Sequence, residues 1–269
     1  MGLSNQERFA CAVAERITGA VAEEWDVDGR QGAFDAILTY PDGRRAAFEV
    51  TSLSADGAIQ TQRLLGRDNY SWPLPGKWWW TISVGSPRDI PRLREAYQKI
   101  ILLCEQANAE RPEQLSWWSD TADADGKWLV TESSSTMIGH RNLSASKAPG
   151  GGAMVVPTGD GGAADISLSG LRDALNDAFN AGHMPAHIRK VCEATHTDER
   201  HLFIAVHDTA LPFPVMYGLM FGDALPPEPP PLPAEIHTLW LALPYTKRLM
   251  TWSRTAGWTN HYPYREPDE

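Results

Sequence analysis

Two acids set among apolar residues carry the chemistry this sequence could perform: Asp35 in GAFDAILTY and Glu49 in RRAAFEVTSL, with PDG at residues 41–43 between them. Side chains alternate along a strand, so Glu49 and Thr51 face one way while Phe48 and Val50 face the other. If Asp35 faces the same way across a hairpin, the two carboxylates can share one Mg²⁺ or Mn²⁺, hard cations that take oxygen ligands. Such a cation lowers the pKa of a bound water and offsets charge on a phosphoryl group, which is what phosphodiester hydrolysis requires. Neighbouring carboxylates also repel one another, and a cation removes that cost. A half-exposed sheet bearing two solvent-facing acids is the alternative reading.

The elements that must position these acids follow from periodicity. Phe9, Val13, Ile17 and Val21 recur every four residues and predict a helix from about Asn5 to Trp25, opened by a capping box of Ser4 and Glu7. GAFDAILTY and RRAAFEVTSL predict antiparallel strands joined at the PDG turn. WWWTISVG predicts a further strand, and Leu93, Tyr97, Ile100, Ile101 and Cys104 predict a helix starting near Pro91. This order suits an α/β layer sandwich over residues 1–115, with residues 116–269 as an extension packed on it. In the extension, SGLRDALNDAFNAG and AHIRKVCEAT predict helices, and HLFIAV and HTLWLAL predict buried strands. APGGGAMVVPTGDGGAAD predicts a flexible loop, because it lacks phosphate-loop spacing. LPPEPPPLP predicts a stiff spacer, with docking of a protein partner as the other use of such a segment.

An Asp, a glycine turn and then Glu-x-polar on a strand resembles the PD-(D/E)XK nuclease superfamily, which includes restriction endonucleases. The resemblance covers roughly residues 1–115. It implies an α/β fold with a restriction-endonuclease-like α/β/α core and a C-terminal α/β extension. It also implies Mg²⁺-dependent (or Mn²⁺-dependent) endonuclease action on DNA, in a restriction or defence setting. Asp35 and Glu49 match the metal-binding acids, and Glu7 matches an extra acid that some members place on the first helix. The sequence departs from the family where Ala33 and Phe34 precede Asp35, and where Thr51 replaces the lysine that positions the attacking water. Threonine has no positive charge. Three outcomes follow: a displaced lysine (Lys190, Lys77 or Lys99), a hydroxyl or amide from Thr51, Gln60 or Gln62 in its place, or a silent nuclease-fold module that binds nucleic acid or a protein partner.

Composition bounds these readings. With 269 residues and 42% hydrophobic content the chain can bury a sizeable core. No apolar run is long enough to span a bilayer, and MGLSNQERFACAVAERI is too polar for a signal peptide, so a cytoplasmic protein with no membrane partner is expected. The net charge of −10 opposes phosphate binding on average. Arg44, Arg45, Arg63 and Arg67, close to the acids in sequence, are therefore the expected DNA contacts. Three separated cysteines with no CxxC predict neither a disulfide framework nor a cysteine zinc site. His183 and His187 have zinc-ligand spacing, but Pro185 between them predicts an interrupted helix. His207 and Asp208 predict a satisfied strand-end turn. Trp78, Trp79 and Trp80, with Trp72, Trp117 and Trp118, offer either base stacking or packing, and alternation sets Trp79 opposite its two neighbours. A double-strand cut calls for two symmetry-related sites, so a homodimer is expected.

Overall fold

The computed structural model describes residues 2–26, 33–55, 57–117, 123–144, 152–158 and 164–264. In chain order the first elements are α1 (Asn5–Thr18), β1 (Val21–Glu24), β2 (Ala36–Thr39), β3 (Arg45–Leu53), α2 (Ala58–Gly66), β4 (Ser71–Pro73), β5 (Trp78–Val84) and α3 (Ile90–Gln106). A 3₁₀ turn at Pro112–Gln114 precedes α4 (Ala124–Thr131), β6 (Thr136–Ser144), β7 (Gly152–Pro157), α5 (Leu171–Phe179) and α6 (Met184–Cys192). The remaining elements are β8 (Glu199–Val206), α7 (Phe213–Phe221), β9 (Thr238–Ala242), β10 (Leu249–Ser253) and β11 (Gly257–His261). The fold is mixed α/β, in two compact units: residues 1–55 with 161–269, and residues 56–160. The division drawn from sequence near residue 115 therefore falls inside the second unit. The helix–hairpin–strand–helix sandwich is split for the same reason, since β5 and α3 share a core with β7 and α4.

In the first unit α1 begins at the capping box of Ser4 and Glu7, but it stops at Thr18, well before Trp25. Gly19 ends it with φ 71°, a left-handed conformation that glycine adopts without strain, and its N–H donates to Glu15 O. Val21, which continues the helical spacing on paper, lies instead in β1. The sheet has the order β1-β2-β3-β8-β9-β10-β11. Its edges are antiparallel, while β3, β8 and β9 run parallel at its centre. Helices cover both faces. Ala10, Val13 and Ala14 of α1 pack on Ala46, Phe48 and Val50, whereas α5, α6 and α7 cover the face that bears Ile37, Ala47 and Leu53. Phe48 meets Phe203 and Trp240 edge-on at 5.9 and 6.2 Å. A one-residue slip of β3 would drive these rings out of the core and turn Glu49 to the wrong face, so the aromatic cluster fixes the acid's orientation.

The LPPEPPPLP segment lies in this unit between α7 and β9 and is strapped down. Trp258 Nε1 donates to Glu228 O at 2.7 Å, Arg172 Nη1 to Pro229 O at 3.3 Å and Arg254 Nη2 to Pro233 O at 3.2 Å.

The second unit has a sheet of order β4-β7-β5-β6, with β5 and β7 parallel and the other pairs antiparallel. The glycine-rich stretch read as a loop supplies an interior strand, because Ala153 and Val155 of β7 are fully buried. Residues 148–151 and 159–163 of that stretch lie outside the described residues, as does Trp118. Trp80 is fully buried with its Nε1 on Glu105, while Trp79 faces the other way, its ring 5.2 Å from His140. Trp72 and Trp117 are buried as well, so packing accounts for most of the indole stock. Among the described residues no helix is long and apolar enough to cross a membrane.

Candidate functional site

Strand phase brings the two acids together. Ile37 stands opposite Ala47 in the β2–β3 ladder, and both pack under α5–α7. Asp35 lies two residues before Ile37 and Glu49 two residues after Ala47, so both side chains leave the same face of the sheet, towards α6. Asp35 Oδ2 accepts the Val50 N–H at 2.7 Å, which ties the acid to β3. Glu49 is wholly buried.

Helix α6 crosses this face and adds a cation and an imidazole. Lys190 Nζ lies 3.0 Å from Glu49 Oε2 and 3.2 Å from Asp35 Oδ1. His187 Nδ1–H donates to the other Glu49 oxygen, Oε1, at 2.5 Å. Burial, and then the charge of Glu49, raise the Asp35 pKa from 3.8 to about 6, against the opposing pull of the Val50 N–H and Lys190. Burial disfavours the Lys190 ammonium, but Glu49 and Asp35 outweigh it and hold the lysine above its ordinary range.

The donor set fits a hard divalent cation in one respect and falls short in another. Glu49 Oε2 is buried and faces the Lys190 ammonium 3.0 Å away, so a divalent cation on this oxygen would share it with Nζ or displace the ammonium. Among the described residues, however, no three His, Cys, Asp or Glu side chains converge on one point. A cation here would have two carboxylates and otherwise water, a ligand set that Mg²⁺ accepts.

The other residues singled out in the sequence differ in how they stand to the pair. Glu7 shares a cavity of about 300 Å³ with Glu24, Asp26 and Asp35. Its carboxylate nevertheless closes the capping box, accepting the Ser4 N–H at 2.6 Å. Glu7→Ala is accordingly expected to cost about 1 kcal/mol in urea unfolding and to leave divalent-cation binding within twofold of wild type. Thr51 is buried on the Glu49 face. Arg44 is held by Asp42 and Glu199 and lies over the Tyr40 ring, five residues and so about 17 Å along the strand from Glu49. The Arg45 guanidinium covers Trp25. Both guanidiniums are thus engaged with neighbouring side chains. Arg63 and Arg67 belong to the second unit, as do Lys77 and Lys99, and Lys99 is paired with Asp123.

Of the three lysines considered for the missing position, Lys190 belongs to the same unit as the acids and stands beside them. A sequence signal for it existed: His183, His187 and Lys190 stand at i, i+4 and i+7, one face of a helix. Pro185 obscures that face, because a proline inside a helix interrupts it. It lies in the first turn of α6, where proline's missing N–H costs nothing. His207 forms the strand-end pair with Asp208, Nδ1 to Oδ1 at 2.8 Å.

Compared with family models, curated proteins and solved structures, the chain matches none.

Proposed function

We propose that the chain is a metal-dependent endonuclease hydrolysing phosphodiester bonds in DNA, through a restriction-endonuclease-like site in which Lys190 of α6 takes the part of the lysine missing at Thr51. The observation that carries this reading is the approach of one ammonium to both acids, 3.0 Å from Glu49 and 3.2 Å from Asp35. Asp35 and Glu49 would hold Mg²⁺ or Mn²⁺. When bound, that cation supplies charge neutralisation and a more acidic water. Lys190 then donates hydrogen bonds that orient the attacking water, and its charge opposes the build-up of negative charge on the phosphate. Glu49, fixed at Oε1 by His187, cannot rotate away, which preserves the geometry between turnovers.

A second reading is favoured by one observation. Lys190 already satisfies much of the charge of the two acids, as it would in a silent module whose ion pair is purely structural. Cleavage of plasmid and linear DNA separates the two. Asp35→Asn and Glu49→Gln are each expected to lower Mg²⁺- or Mn²⁺-dependent cleavage at least about a hundredfold with DNA binding retained. Salt-dependent DNA binding by the wild type with no cleavage in either metal would leave only the silent module.

A further inference from the structure

We propose that His183 and His187 form a binding site of their own for a borderline transition cation such as Zn²⁺ or Ni²⁺, open to solvent and distinct from the acid pair. His183 precedes α6 and His187 stands one turn on, both with helical backbone geometry, so their side chains leave the same side of the helix. Each ring is already anchored through one nitrogen. His183 Nε2–H donates to Ser52 O at 2.8 Å, and His187 Nδ1–H donates to Glu49 Oε1 at 2.5 Å. That is the outer hydrogen bonding that metal-ligating histidines carry, one nitrogen on a carbonyl or carboxylate and the other left to the metal. The remaining nitrogens, Nδ1 of His183 and Nε2 of His187, make no hydrogen bond among the described residues.

Ring separation agrees with this use. The centroids are 5.4 Å apart with the rings nearly perpendicular, at 86°. Two imidazoles bound to one tetrahedral ion through metal–nitrogen bonds of about 2.0–2.1 Å have centroids about 5.3 Å apart. His183 is exposed and the His187 side chain keeps 31% of its surface, so water or an oxygen of a bound molecule can complete the coordination. Imidazole nitrogen selects Zn²⁺, Ni²⁺ or Cu²⁺ over Mg²⁺, whereas the acid pair has the opposite preference. Glu49 serves both places with different oxygens, Oε1 towards His187 and Oε2 towards Lys190. The two-histidine site therefore does not rest on the nuclease reading.

The test is calorimetric titration of the full chain with Ni²⁺, alone and in millimolar Mg²⁺. One equivalent should bind the wild type, and Mg²⁺ should not displace it. His183→Ala should weaken Ni²⁺ at least about tenfold, and Asp35→Asn should leave it within about threefold. His183→Gln, which keeps a polar group for Ser52 O, should weaken it as His183→Ala does, and it decides the matter if the alanine variant unfolds. Ni²⁺ affinity unchanged in both His183 variants overturns the proposal, as does Ni²⁺ binding lost in Asp35→Asn but kept in His183→Ala, which would assign the cation to the acids. A wild type that binds Ni²⁺ as expected but cleaves no DNA in Mg²⁺ or Mn²⁺ would count against the nuclease reading alone.

Discussion

Lys190→Met is expected to cost the metal-free protein about 3 kcal/mol of stability near pH 8 and to lower Mg²⁺-dependent cleavage about a hundredfold or more. The stability loss follows from what is left behind. Without Nζ, Asp35 and the wholly buried Glu49 face one another as like charges in a site from which most water is excluded. Breaking a buried ion pair by removing one member costs about 3–5 kcal/mol, and the lower end applies because the Lys190 side chain keeps 22% of its surface exposed. The activity loss separates two roles for the lysine. If Lys190 only balances charge, saturating Mg²⁺ should restore stability and cleavage together, since the divalent cation replaces the lost ammonium. If Lys190 orients water, Mg²⁺ restores stability while kcat stays low. Lys190→Arg keeps the charge but presents a planar fork in place of a compact ammonium, so it should hold most of the stability and little of the activity. Wild-type cleavage by Lys190→Met would sink the assignment of the displaced lysine.

Why this lysine could not be chosen in advance is a matter of sequence distance. The alternation in RRAAFEVTSL already placed Glu49 and Thr51 on one face, and the PDG turn already made Asp35 a cross-strand neighbour of Glu49; the register of β2 and β3 follows both rules. Local signals of this kind carry over because strand period and turn chemistry act over a few residues. Lys190 lies 155 residues from Asp35, beyond a whole unit with its own core, and no local rule spans that gap. The same insertion carries WWWTISVG into the four-stranded sheet. Its aromatic and branched residues make it a strand, but nothing in them says which sheet it joins. AMVVP was lost to its glycine-rich flanks, although its branched side chains suit the interior strand that Gly152–Pro157 becomes. Val21 shows the opposite failure. Four-residue spacing continued past Gly19, yet a left-handed glycine ended the helix regardless.

Asp35→Asn is expected to gain stability relative to wild type as pH rises, by about 3 kcal/mol between pH 4 and pH 8 in the absence of divalent cations. The sign comes from linkage. The folded state raises the Asp35 pKa from 3.8 to about 6, chiefly by burial and then by the charge of Glu49. Folding therefore favours the protonated acid. The cost of ionised Asp35 is absent below about pH 3.8, grows as pH rises through the interval, and is fully present above about pH 6. The gap corresponds to about 3 kcal/mol, with little reduction by solvent because the side chain is only 12% exposed. Asparagine has no such titration and its oxygen can still accept the Val50 N–H, so the difference between the two unfolding free energies reports Asp35 together with its coupling to Glu49 and removes the acids remote from the pair. Urea unfolding at a series of pH values in chelator measures it; parallel curves would show that Asp35 does not ionise at a cost. Repeating the series in saturating Mg²⁺ turns the same measurement into a test of the site. A cation shared with Glu49 stabilises the ionised acid, lowers its pKa and should shrink the difference towards zero. A substitution that stabilises the metal-free protein at pH 8 while abolishing cleavage is what a functional acid pair requires, since its mutual repulsion is tolerated for the ion it holds. If Mg²⁺ leaves the pH dependence untouched, the pair is no metal site, and Lys190 is its permanent counter-ion.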